Sequence, residues 1–77
     1  DTFVFAAGFG KDTISDFGDY GTDVIAFTDG LFTGFADVMA HAAQVGDDVS
    51  ITLDGDNAIT LIGTKLAALH QDNFSFV

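Results

Sequence analysis

Seventy-seven residues with 12 acidic side chains, 2 Lys, no Arg and no Cys carry a formal charge of −10. That charge repels nucleic acid and anionic membrane surfaces, and no disulfide is present to add stability. All the acids are Asp, which favours turns over helix faces, while a hydrophobic fraction of 48% and nine Phe argue against disorder.

Three segments in the first third of the chain each place Asp before a short β-prone run. They are Asp1-Thr2-Phe3-Val4-Phe5, Asp12-Thr13-Ile14-Ser15 and Asp23-Val24-Ile25-Ala26-Phe27, starting at positions 1, 12 and 23 and so 11 apart both times. Glycines precede the second copy as Gly8-Phe9-Gly10-Lys11-Asp12 and the third more loosely, as Gly18-Asp19-Tyr20-Gly21-Thr22-Asp23. Turn plus strand at a fixed period is the signature of a solenoid. The chain opens on Asp1 rather than Met, inside a repeat, which reads as a piece of a longer product.

After the turn Thr28-Asp29-Gly30 the period changes. Phe35, Val38, Met39, Ala42 and Ala43 fall on one helical face, with Asp37 in the first turn and Gly46 placed as a stop, so the spacing predicts a helix over about 35–45. Val49-Ser50-Ile51-Thr52-Leu53 and Ala58-Ile59-Thr60-Leu61-Ile62 alternate on either side of Asp54-Gly55-Asp56-Asn57, a hairpin signal over about 49–62. Lys65 to His70 suits one helical turn, and about 73–77 a final strand. The chain thus reads as one module, 1–77, mainly β. Residues 1–27 form the terminal turns of a parallel β-roll (a solenoid), and 28–77 form a cap that closes it with a short helix and an antiparallel hairpin.

At this point the sequence resembles a family. Gly8, Gly10, Asp12 and Ile14 match, in register, the second Gly, the later Gly, the Asp and the large apolar residue of the nonapeptide Gly-Gly-x-Gly-x-Asp-x-U-x. Asp1 and Phe3 match the same last two positions of a preceding copy. "KDTISDF", "TDVIAF", "FTGFADVMAHAAQVGDDVSITL", "ITLIGTKLAAL" and "DNFSF" together resemble the segment that closes such rolls. Together they are similar to the C-terminal end of RTX proteins, the hemolysin-type calcium-binding β-roll proteins that include serralysin-type proteases, some lipases and mannuronan epimerases. The copies here are two residues longer than the nonapeptide, and the third lacks its Gly-x-Gly, which suits the last turns of a roll.

The resemblance implies a secreted, extracellular location and Ca²⁺ as the bound ion. It also implies upstream β-roll repeats as the partner, and export by type I secretion machinery that reads an uncleaved C-terminal signal, here within 66–77. Asp12 with the carbonyls of Gly8 and Gly10 would form half a calcium site, and Asp1 and Asp23 are further candidate ligands. Calcium takes six to eight oxygens, so a neighbouring turn on the same edge must supply the rest: an upstream turn or the one around Asp23.

Asp54-Gly55-Asp56-Asn57 starts like an EF-hand loop, but Ala58 stands where a third ligand belongs and no Glu closes it, so it reads as a turn. His41 and His70 have no thiol to join them at zinc, and no nucleophile motif or phosphate loop appears. The chain reads as a non-catalytic structural calcium module of a parent that is itself open to being an enzyme. The alternative is an assembly module whose N-terminal rung stacks on another copy into a homo-oligomer or filament.

Overall fold

The computed structural model describes residues 2–15, 17 and 23–77. Asp1 and the loose turn Gly18–Thr22 lie outside them. Three short strands come first: β1 (Thr2–Phe5), β2 (Lys11–Ile14) and β3 (Val24–Phe27). They do not lie side by side. β1 and β3 pair in parallel, Thr2 with Val24 through Phe5 with Phe27, while β2 belongs to another sheet. Each 11-residue copy therefore carries the chain to the opposite sheet, and the repeat within one sheet is two copies long.

Helix α1 (Phe35–Ala40) follows, then β4 (Ala42–Val45), β5 (Asp48–Thr52), β6 (Ala58–Leu61), two single-turn 3₁₀ segments, Leu66–Ala68 and Gln71–Asn73, and β7 (Phe74–Phe76). The first sheet runs β1-β3-β7, all parallel. The second runs β2-β6-β5-β4, with β2 and β6 parallel and the rest antiparallel.

The helix stops at Ala40, short of the Val45 that the apolar stripe predicts, and residues 42–45 form a strand instead. Pairing overrides propensity here: Gly46 (φ 62) and Asp47 make a two-residue hairpin turn, so Ala42 to Val45 find partners in Ile51 to Asp48. Gln44 then fastens the next segment to this strand. Its amide donates to the carbonyls of Gly46, Asp48 and Thr64, at 3.1, 2.9 and 3.1 Å, and its Oε1 accepts the Leu66 N–H at 2.6 Å.

The two sheets share one core. Phe5, Ile25, Phe27 and Phe74 from the first meet Ile14, Val49, Ile51, Ile59 and Leu61 from the second, with Phe17, Phe32, Val38 and Leu69 between and beside them. Alternation decides which side chains enter: Phe5 is buried while Val4 beside it is 63% exposed. Phe27 is the hub, with ring centroids at 6.1 Å from Phe5, 4.7 Å from Phe32, 6.3 Å from Phe74 and 6.2 Å from Phe76.

Candidate metal centre

The turn from β1 to β2 carries Gly8 and Gly10, both in the left-handed region at φ 77 and 78. Only glycine adopts those angles without strain, so the spacing reflects a backbone requirement of the turn. Asp12 follows in β2, opposite Ile59, half-buried on the same strand face as the buried Ile14. Its carboxylate has no hydrogen-bond partner among the described residues. The Gly10 carbonyl already accepts the Ala58 N–H at 2.9 Å, which leaves it one lone pair for an ion. Gly8, Gly10 and Asp12 thus offer at most four of the six to eight oxygens calcium takes, two carbonyls and one carboxylate: about half a site. No group of three or more His, Cys, Asp or Glu able to hold a metal forms among the described residues.

The topology corrects one expectation about where the other half comes from. Asp23 precedes β3, beside the start of β1, whereas Gly8 and Gly10 follow the end of β1. Asp23 therefore lies at the opposite end of these strands from the Gly8–Gly10 turn, out of reach of a site shared with Asp12. The Asp23 carbonyl accepts the Asn73 Nδ2–H at 3.5 Å.

The true downstream neighbours of the Gly8–Gly10 turn are two loops that carry no repeat motif. Thr28 and Asp29, at the end of β3, meet it on one side. The Thr28 N–H donates to the Phe5 carbonyl at 3.0 Å, and the Ala7 N–H donates to Asp29 Oδ2 at 3.1 Å. On the other side Asn57, at the start of β6, accepts the Gly10 N–H on Oδ1 at 2.8 Å. Asn57 is held in turn by Asp54, whose Oδ1 accepts both the Asn57 Nδ2–H and the Asp56 N–H at 2.9 Å. The Asp56 backbone bond, then the Asn57 side-chain bond, hold the Asp54 carboxyl below the ordinary Asp range. This loop spends its carboxylate on its own turn.

Asp29 and Asn57 escape a reading that compares adjacent copies, yet a signal for one of them exists. Gly30 stands 22 residues after Gly8 and Asp29 stands 22 after Ala7, the period of strands within one sheet. Asn57 has no such signal, since it joins the turn across 47 residues.

No protein-family model matches the chain. It is 37% identical over 74 residues to the endo-1,3-1,4-beta-glycanase EglC of Rhizobium meliloti, a match that covers 96% of this chain and 16% of the glycanase. Its structure is similar to the extracellular lipase LipA of Serratia marcescens, with a TM-score of 0.80 and 29% identity over 99% of this chain and 12% of the lipase. The resemblance to RTX proteins holds. It extends over nearly the whole chain, in sequence and in fold, and the chain spans less than a fifth of either relative. The matched segment is thus a small part of two much larger proteins.

Proposed function

We propose that this chain is the non-catalytic, structural end of a calcium-stabilised β-roll in a secreted protein, closing the roll with residues 28–77. One observation carries the reading. The outer strands β1 and β2 leave both sheets open on the same side of the molecule, while β7 and β4 occupy the far edges. Preceding turns would add to β1 and β2 in the same alternation, and the next turn on the Gly8 side would complete the half-site with Asp12. The parent, like the glycanase and the lipase, would be an enzyme whose chemistry lies elsewhere in the chain.

Calcium has a direct energetic role in this reading. A formal charge of −10 makes the chain self-repelling, and each ion removes two charges of that excess. Extracellular calcium modules bind at about 10⁻⁴ to 10⁻³ M, so the sites would be empty in the cytosol and filled outside. At roughly ten times Kd one site adds about 1.4 kcal/mol. The test is a calcium titration of Tm in the parent protein, wild type against Asp12→Ala. The wild-type curve should rise further; curves that rise together would remove Asp12 from the ligand set.

Residues 66–77 are proposed to carry the export signal as well as the last strand. Phe74 and Leu69 are buried in the core, so truncation would unfold the module as well as remove a signal. The exposed His70, Gln71 and Asp72 offer a cleaner probe. Unreduced secretion of the parent with all three changed to Ala would count against this signal.

A further inference from the structure

We infer that Asp29 and Asn57 end the ion ladder: they seal the downstream face of the Gly8–Gly10 turn with hydrogen bonds where the next ion would otherwise bind. The inference rests on the β-roll reading only in taking calcium as the ion of the other turns.

The register shows how the seal arises. Phe5 pairs with Phe27, so residues 28–34 retrace 6–12 in the next turn on that edge. Gly30 falls on Gly8, and both have positive φ, at 68 and 77. Beyond that glycine the motif is gone. The position of Gly10 is taken by Phe32, which is buried and packs edge-on against Phe27 at 4.7 Å. The position of Asp12 is taken by Gly34, the residue before α1. A turn without its second glycine and its carboxylate cannot supply the other half of a calcium site.

In place of those ligands stands Asp29, where the preceding turn has Ala7. Asp29 is the non-glycine residue with positive φ (59) among those described, a conformation Asp tolerates better than most residues. There its carboxylate accepts the Ala7 N–H at 3.1 Å and the Thr28 hydroxyl at 3.2 Å. Across the turn, Asn57 accepts the Gly10 N–H at 2.8 Å, and the Gly10 carbonyl is held by the Ala58 N–H at 2.9 Å.

A cation approaching from this side would therefore meet two N–H groups and a carbonyl already engaged. The same turn can present ligands upstream and be closed downstream, which is what the last turn of a roll requires. Closure by hydrogen bonds also makes this junction independent of calcium.

The experiment compares the chain with Asp29→Ala, Asp29→Asn and Asn57→Ala. Tm is read in EDTA and in 10 mM CaCl₂, bound calcium by calorimetry, and amide exchange at Ala7 and Gly10. Asp29→Ala and Asn57→Ala should each lower Tm by roughly 4–8 °C, equally with and without calcium, and leave the number of bound ions unchanged. Exchange should quicken at Ala7 only in Asp29→Ala and at Gly10 only in Asn57→Ala. Asp29→Asn should restore most of the loss, because an amide oxygen also accepts the Ala7 N–H. Loss of a bound ion in any variant would make the residue a ligand and overturn the inference. So would an unchanged Tm in EDTA. If the wild-type chain binds no calcium, which accords with a half-site lacking its preceding turn, Tm in EDTA and the exchange pattern still decide the seal.

Discussion

Phe27→Ala should lower stability by about 3–5 kcal/mol, the cost of emptying a buried aromatic site that cannot collapse. Phe27 is 1% exposed and lies within ring-contact distance of Phe5, Phe32, Phe74 and Phe76. It sits on the central strand of the first sheet, so its loss loosens β1 and β7 together. A chain of this size has roughly 4–12 kcal/mol of total stability, so the variant should be close to unfolded at 25 °C, with Tm reduced by roughly 15–30 °C. Thermal and urea unfolding followed by circular dichroism would show it. A decrease under about 5 °C would mean that the two sheets do not share the core described.

Val38→Asp should be comparably severe for a different reason. Val38 is fully buried on α1, and the substitution places a carboxyl in apolar surroundings of a chain already at −10. An unpaired buried charge costs several kcal/mol, and part of that cost is avoided by keeping the proton, which raises the folded-state pKa. The sign of the pH dependence follows. A raised Asp pKa penalises the folded state most at neutral pH, and the penalty shrinks as pH falls towards about 4, where the unfolded chain takes up the same proton. Val38→Asn removes the ionisable group and should lack this dependence. Equal Tm losses for both variants at pH 7 and pH 4.5 would assign the damage to shape alone, and an unchanged Tm would place α1 outside the core.

The sequence shows its alternation and its glycines plainly, because both are local. Phe3 and Phe5 on one strand, and Gly8 and Gly10 before the next, need only neighbouring residues to be read. What escaped was set by pairing at a distance. Ala42 and Ala43 extend the helical stripe of Phe35, Val38 and Met39, yet the turn at Gly46 and Asp47 lets β5 claim them for a sheet. The placement of Asp23 beside the Gly8–Gly10 turn failed similarly. An 11-residue period suggests neighbours one copy apart, but alternation between two sheets makes the neighbour two copies away. The roles of Asp29 and Asn57 depend wholly on that doubled period and on β6 docking parallel to β2.

The central claim is that one side of this module receives preceding β-roll turns and the other is closed. Two Gly-Gly-x-Gly-x-Asp-x-U-x turns fused before Asp1, or in a second protein after Val77, test it directly through Tm in millimolar calcium and in EDTA. The N-terminal fusion should raise Tm in calcium relative to the chain alone and lose that gain in EDTA, as new turns add to β1 and β2 and share ions with Gly8 and Asp12. The C-terminal fusion should leave Tm unchanged in both conditions. A calcium-dependent gain from the C-terminal fusion, or none from the N-terminal one, would contradict the account.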